Sequence, residues 1–207
     1  MRKRALNIGF QWKHTEKESR MTEQSAPAVS PTGDKEILIA RLQDGRNRYL
    51  CAFHGVLDSS SSWRRTPGTW SILECAEHVA VAEEQMLKLW EKLAAAGSSD
   101  PAIDAKILAL AHDRTRKAKS PERSEPAGRF DSLYEALERF RIARDRTLQF
   151  AESVSVEELR AKVVPHPLAG ALDGYQLLTL MAVHPERHAL QVEEIKTDPE
   201  FPSGQHP

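Results

Sequence analysis

Four long segments of this chain carry apolar residues at the three- and four-residue spacing of an amphipathic helix. The segments span about residues 34–57, 71–97, 132–153 and 173–196. Each begins with aspartate or serine, which cap helix N-termini, and Ser71 is followed three residues later by glutamate, the form of a capping box. No convincing strand pattern lies between them. The sequence therefore predicts an all-α protein, a four-helix bundle.

Short helices are predicted in the connections between these segments. Asp100 is expected to cap a short helix with Pro101 at its first position, and Ser155 to cap a further helical turn. The stretches 117–128 and 165–170 contain prolines and are predicted to be loops.

The two ends of the chain differ from the predicted bundle in composition. Residues 1–33 are expected to be a disordered tail and linker, since 21–33 is rich in Ser, Thr, Pro and Ala, and Met21 is an alternative natural start. The bundle is predicted over residues 34–198. The stretch 199–207, with its prolines and glycine, is expected to be a loose C-terminal tail.

Composition excludes several classes of function. The formal net charge of −1 over 207 residues argues against a nucleic acid or an anionic membrane as partner. No apolar run approaches the length of a transmembrane helix. Cys51 and Cys75 provide no disulfide framework and are predicted to be buried free thiols, which fits a reducing cytoplasm.

Two histidines, His184 and His188, stand four residues apart in the last long segment. Positions i and i+4 lie on one face of a helix, where two imidazoles can bind one metal ion from the same side. A lone helical histidine is more often structural, but a buried pair needs hydrogen-bond partners or a metal. His78, in the second long segment, is a candidate third ligand. Three imidazoles from two helices would form an open site that can support catalysis.

Other residues near this pattern are weaker candidates. Glu74 lies one turn before His78 and is a potential fourth ligand, ligand-orienting partner or general base, although completing the cap at Ser71 is the favoured interpretation. His166, in the predicted loop before the fourth helix, is the other candidate general base. Glu77 and Glu83 are predicted to be solvated. Pro185 lies between the paired histidines and predicts a kink at His184.

Three stretches of the sequence resemble the DinB/YfiT-like superfamily of metalloenzymes, most closely the DinB-like domain proteins. They are Trp-Ser-Ile-Leu-Glu-Cys-Ala-Glu-His at 70–78, His-Pro-Leu-Ala-Gly at 166–170, and His-Pro-Glu-Arg-His-Ala-Leu-Gln at 184–191, with weaker pieces at 120–130. The resemblance covers about residues 35–196. It implies a four-helix bundle whose divalent metal is bound by His78, His184 and His188, with zinc or nickel favoured and iron or manganese as alternatives. Pro185 departs from the family pattern, which usually has a good helix former there.

The resemblance also carries expectations about activity. Members with known activity include thiol S-transferases and a thiol-dependent isomerase, so the expected function is metal-dependent transfer of a low-molecular-weight thiol to a small electrophilic substrate. A metal-dependent hydrolase would use the same site with water in place of the thiol. A non-catalytic bundle with a structural metal, or with none, is the remaining alternative. The exposed faces of such a bundle make a homodimer a further expectation.

Overall fold

Four helices of 21 to 23 residues form a bundle in this computed structural model, which describes residues 31–115, 119–166 and 170–202. Shorter helices lie in the connections, as predicted. The elements are, in chain order, α1 (Pro31–Ala52), α2 (Asp58–Ser61), α3 (Ile72–Leu93), β1 (Ala95–Ala96), α4 (Ala102–His112), a 3-10 turn (Glu122–Ser124), α5 (Leu133–Ser153), α6 (Val156–Ala161), β2 (Lys162–His166), β3 (Gly170–Asp173) and α7 (Gly174–Lys196). The all-α bundle predicted from periodicity is confirmed. Within these ranges no helix is both long and apolar enough to cross a membrane.

The predicted caps begin three of the long helices. Ser71 and Asp173 each form a complete capping box with the residue three positions on, and the Ser132 hydroxyl accepts a hydrogen bond from the Glu135 amide. The first helix differs from the prediction at both ends. It begins at Pro31 rather than at Asp34, and it ends at Ala52 because Gly55, at a φ of 78°, turns the chain out of the helix.

A three-stranded antiparallel sheet at one end of the bundle was not predicted. The strand order is β1-β2-β3, and the hairpin pairs Val163 with Asp173 and His166 with Gly170. The sequence predicted a loop at 165–170 because strands of two to five residues are too short for a period-two pattern to stand out. The hairpin sets the start of α7, since Asp173 is both the last residue of β3 and the helix cap.

Glu83 and Arg144 form a fully buried ion pair between the helices, which corrects the prediction that Glu83 is solvated. The Arg144 side chain is 0% exposed and donates from Nε and Nη2 to the two carboxylate oxygens of Glu83, at 2.7 and 3.0 Å. Arg144 also donates to the carbonyls of Leu42, at 2.7 Å, and Met181, at 2.6 Å. The Thr147 hydroxyl donates to Glu83 at 2.8 Å. The pair therefore contacts all four long helices.

The two cysteines differ in burial, although both were predicted to be buried. Cys75 is buried on α3, and its burial raises the pKa of its thiol. Cys51 lies near the end of α1 and is exposed. The prediction for Cys51 was therefore wrong, because an apolar neighbourhood in the sequence does not tell which face of the last helical turn a side chain takes.

The C-terminal residues remain in contact with the bundle beyond the end of α7. Phe201 is buried and packs edge-on against Trp63, with ring centroids 5.6 Å apart. The sequence predicted a loose tail from residue 199, but the chain is packed as far as Phe201. Residues 203–207 lie outside the described part of the structure, as do residues 1–30 of the predicted N-terminal tail and linker.

Gly45 lets the backbone of α1 pack against that of α7 at Ala182. A Cβ atom at this position would lie 2.1 Å from the carbonyl oxygen of Ala182, which is backbone and cannot swing away. Glycine to alanine inside a helix is ordinarily stabilising by about 0.5–1 kcal/mol. We expect Gly45→Ala instead to lower the free energy of unfolding by about 1–3 kcal/mol, since the two helices must separate. Urea unfolding tests this, with Asn47→Ala on the exposed face of α1 as the control; equal effects would contradict the packing argument.

Candidate metal centre

Three imidazoles, from His78 on α3 and from His184 and His188 on α7, converge between the two helices. One ring nitrogen from each lies within 4.8 Å of those of the other two. The Nε2 atoms of His78 and His184 are 3.1 Å apart. Two nitrogens bound tetrahedrally to one zinc ion at about 2.1 Å are about 3.4 Å from each other, so the observed separation, which is also that of a hydrogen bond, needs little adjustment to admit one cation. The structure thus brings together the three histidines predicted from the sequence.

Hydrogen bonds orient two of the three rings. His78 donates from Nδ1 to the carbonyl of Ser124 at 2.8 Å, which leaves the lone pair on Nε2. His188 Nδ1 lies 3.1 Å from Oε1 of Gln191, and the same oxygen accepts a hydrogen bond from Arg114 at 3.3 Å. Since Arg114 can only donate, Oε1 is the acceptor for both, so His188 donates from Nδ1 and its Nε2 also carries a lone pair. Such partners fix the tautomer of metal-binding histidines.

The donor set fits a divalent cation. Nε2 of His78 carries no hydrogen, because the ring donates from Nδ1. The short contact between Nε2 of His78 and Nε2 of His184 therefore requires either a hydrogen on His184 or a cation between the two nitrogens. A cation would satisfy both lone pairs and that of His188 at once. The other nitrogen of His184, Nδ1, is buried with no hydrogen-bond partner among the described residues. Three nitrogen ligands leave at least one coordination position open, the arrangement found in catalytic rather than structural zinc sites.

Burial favours the neutral form of these imidazoles, which is the form that binds a metal. Desolvation lowers the pKa of His78, and the hydrogen bond to Ser124 opposes part of that effect. Desolvation also holds the pKa of His184 and His188 well below the usual value, and the neighbouring histidines lower both further.

Trp70 forms an aromatic wall beside the histidines. Its ring centroid lies 4.8 Å from that of His78 and 6.1 Å from that of His188, and the rings of Trp70 and His188 are nearly parallel. The position follows from the local sequence, because Trp70 immediately precedes the Ser71 cap and so lies at the end of α3, two turns from His78. The wall presents an apolar ring to this side of the histidines.

Glu77 anchors the loop that supplies the Ser124 carbonyl. The sequence predicted Glu77 to be solvated, but it is 1% exposed. It accepts hydrogen bonds from the amides of Ala127, at 2.7 Å, and Gly128, at 3.0 Å, and pairs with Arg129. Because Glu77 directly precedes His78, it holds the loop against the turn of α3 that carries this histidine.

The two candidate general bases lie outside the group of three histidines. Glu74 completes the cap at Ser71 and binds Arg64 through both oxygens, at 2.6 and 3.0 Å, so its carboxylate is already engaged. His166 lies on β2, half buried, and burial lowers the pKa of its ring. It is close enough to His184 for its charge to lower the pKa of that residue. A catalytic role for either residue stays a prediction.

Pro185 does not separate the paired histidines. Helix α7 continues through it from Gly174 to Lys196, and the ring centroids of His184 and His188 are 4.7 Å apart. The sequence predicted a disturbance at Pro185 but gave no role at the site to the residues that support it, which are Gln191, Ser124 and Glu77. Of these, only Gln191 carried a signal, since it is three residues after His188 on the same helix.

Replacing Gln191 by leucine tests the proposed orientation of His188. We expect Gln191→Leu to weaken the affinity for zinc by about 10- to 100-fold, because the ring loses the partner that fixes its tautomer. Competition with a chromophoric chelator measures the affinity. Glu193→Ala, at an exposed position of the same helix, is the control. An unchanged affinity in Gln191→Leu would show that Gln191 does not orient the ring.

Comparison with known proteins finds one matching family model and a related bacterial protein. The model of the DinB superfamily matches residues 25–192. The uncharacterized protein YuaE of Bacillus subtilis is 29% identical over 145 residues, which are 69% of this chain and 86% of YuaE.

Two solved structures share the fold. YfiT of Bacillus subtilis, described as a probable metal-dependent hydrolase with an unusual four-helix bundle topology, is 13% identical, with a TM-score of 0.52 over 83% of this chain and 90% of YfiT. A protein from Streptococcus pneumoniae is 16% identical, with a TM-score of 0.52 over 78% of this chain and 90% of its own. At these identities the likeness concerns the fold alone.

Proposed function

Since this chain belongs to the DinB superfamily, we propose that it is a divalent-metal-dependent enzyme whose metal is held by His78, His184 and His188. The observation that carries the proposal is the convergence of three imidazoles, two buried and one partly buried, whose ligand nitrogens lie within 4.8 Å of one another. Two are oriented by Ser124 and Gln191 as metal ligands usually are. A bundle of this size can be stable without a metal, which favours a catalytic role over a structural one.

The all-imidazole donor set narrows the choice of metal. Imidazole suits zinc, nickel, iron and copper, while calcium and magnesium prefer oxygen ligands. We propose zinc or nickel, with iron as the nearer alternative and manganese, which prefers oxygen ligands, as the weaker one. No carboxylate of the described residues joins the three histidines in one group, and this also disfavours the ions that prefer oxygen.

The proposed reaction is the transfer of a low-molecular-weight thiol to an electrophilic small molecule. A divalent cation at this site would act as a Lewis acid that lowers the pKa of a thiol or of water, so that either can attack at neutral pH. The sulfur would form a bond to the electrophilic carbon, and the leaving group would depart with the bonding electrons. The thiol proton needs an acceptor, for which we propose His166, while Glu74 is held by Arg64 and the helix cap.

The other residues of the site would bind and shield the reactants. Trp70 provides an aromatic surface against which an apolar part of a substrate can pack. Ser124 and Gln191 would keep His78 and His188 from rotating as the substrate binds. The thiol specificity rests on family resemblance, and a fold alone does not fix an activity.

Hydrolysis is the second candidate, favoured by the description of YfiT as a probable metal-dependent hydrolase. The same three histidines would serve, with water as the nucleophile in place of the thiol. Both candidate reactions need a cation with an open coordination position. They differ in the nucleophile, which is a thiol in one and water in the other, and in the substrate that it attacks.

One assay separates the two candidates from a non-catalytic protein. Untagged protein loaded with zinc or nickel is given either low-molecular-weight thiols with an electrophilic aromatic halide or activated esters alone. Thiol-dependent turnover that chelation abolishes supports the transferase, and thiol-independent ester cleavage that chelation abolishes supports the hydrolase. His184→Ala should be inactive in both assays, while His54→Ala, at an exposed position, should retain activity. Absence of metal-dependent turnover over a wide panel would overturn the enzyme proposal.

The setting of this activity is also a proposal. We propose a cytoplasmic enzyme acting on small molecules rather than on nucleic acid or a membrane, in keeping with the net charge of −1. The predicted homodimer can be checked by light scattering.

A further inference from the structure

The proline between the two histidines of α7 leaves a backbone carbonyl without its helical partner. In an α-helix the amide of residue i donates to the carbonyl of residue i−4, and proline has no amide hydrogen. Pro185 therefore cannot donate to the carbonyl of Met181. Both residues are buried, Met181 at 0% exposure, so this carbonyl needs a donor from elsewhere in the protein.

That donor is Arg144 on α5. Its Nη2 donates to the Met181 carbonyl at 2.6 Å, a short bond of the kind that a charged donor forms. The remaining donors of the same guanidinium bind Glu83 on α3 and the Leu42 carbonyl on α1. A planar group with several fixed donors can make these bonds together, which the single ammonium group of lysine cannot.

Arg144 therefore connects the two helices that carry the histidines. Met181 lies three residues before His184 on α7, and Glu83 lies five residues after His78 on α3. The neighbouring carbonyl, that of Ala182, is packed against Gly45 of α1. The turn of α7 that leads into His184 is thus fixed from α1 on one side and from α5 on the other.

We propose that Arg144 is a positioning residue of the metal centre, which replaces the amide hydrogen that Pro185 lacks and, through Met181 and Glu83, sets the spacing between His184 and His78. The inference rests on the proposed metal-binding function. The alternative is that Arg144 only neutralises Glu83 inside the bundle. The two can be told apart, because only the first makes the effect of losing Arg144 depend on Pro185.

The test uses cobalt(II) as the metal probe. It compares the wild type with a double variant in which neither member of the buried ion pair remains. Glu83→Leu/Arg144→Met removes both charged groups, so that the variant can fold. Pro185→Ala is then made in this background and in the wild type. In the double variant it returns an amide hydrogen to the Met181 carbonyl, while in the wild type that carbonyl already has Arg144. The affinity for cobalt, the visible absorption bands of bound cobalt, and urea unfolding without metal are measured for all four proteins.

We expect Glu83→Leu/Arg144→Met to bind cobalt about 10- to 100-fold more weakly and to shift its visible bands. Pro185→Ala should restore most of the affinity and the original bands in that background, and should raise its stability without metal more than it raises that of the wild type. Equal effects of Pro185→Ala in the two backgrounds, or an unchanged cobalt spectrum in Glu83→Leu/Arg144→Met, would overturn the inference.

A control variant and the wild-type protein show whether a negative result overturns the role of Arg144 or the metal-binding function itself. Arg160→Met removes a partly buried guanidinium that binds Asp104 and the α7 cap Asp173 and lies over Tyr175, nine residues before His184. It should leave the cobalt bands unchanged. If the wild type binds no cobalt, the metal-binding function fails and this inference fails with it. If the wild type binds cobalt but the dependence on Pro185 is absent, only the role of Arg144 is overturned.

Discussion

Replacing Glu83 by alanine is expected to lower the free energy of unfolding by about 3–5 kcal/mol, because it removes one partner of a buried ion pair and leaves the other charged. The variant leaves the guanidinium of Arg144 buried without its counter-charge, and the hydroxyl of Thr147 loses an acceptor. The Arg144 side chain is 0% exposed, so water cannot replace the carboxylate. A loss of this size is a large part of the stability of a single domain.

Urea unfolding of the metal-free protein measures this effect. Glu91→Ala, at an exposed position of the same helix, is the matched control and should change the free energy of unfolding by less than about 0.5 kcal/mol. Glu83→Leu/Arg144→Met should be more stable than Glu83→Ala, since it leaves no unpaired charge in the bundle. If Glu83→Ala behaved like Glu91→Ala, the ion pair would not be buried as described.

His184→Ala is expected to abolish the stabilisation that a metal gives to the wild type. A ligand at a thousandfold excess over its dissociation constant stabilises the folded state by about 4 kcal/mol. The wild type should gain stability of this order in excess zinc, because the three histidines come together only in the folded chain. Removing His184 removes the ligand nitrogen that lies 3.1 Å from that of His78 and leaves two histidines on different helices.

Paired unfolding curves with and without zinc test this expectation. His54→Ala, which removes an exposed histidine of the region that follows α1, should keep the full response to zinc. The comparison within each protein cancels any effect of the substitution on the metal-free fold. If zinc stabilised His184→Ala as much as the wild type, the metal would have to be bound elsewhere.

The parts of the fold that the sequence predicts are those determined by neighbouring residues. Ser71 and Asp173 cap α3 and α7 because each hydrogen bond in a capping box joins residues three apart. The same local geometry places His184 and His188 on one face of α7. His78 was a candidate third ligand from the start, but its separation from α7 in the sequence says nothing about its position. The resemblance to the DinB/YfiT-like superfamily strengthened that assignment.

The parts that the sequence does not predict depend on partners far away in the chain. The sequence predicted Glu77 and Glu83 to be solvated because the residues that bind them, at 127–129 and at Arg144, are far away in the chain. The hairpin of β2 and β3 is stabilised by pairing and by the packing of Val164 and Leu172 rather than by strand periodicity. Each of these features exists only once the helices have assembled.

X-ray absorption at the metal edge tests the central claim most directly. Untagged protein is loaded with zinc, freed of excess metal, and analysed for metal content and for the ligands of the bound ion. We predict one zinc per chain with three imidazole nitrogens at about 2.0–2.1 Å and no sulfur ligand, and loss of the imidazole signal when His78, His184 and His188 are all replaced by alanine. Zinc below stoichiometry after loading, or a ligand set without imidazole, would contradict the account.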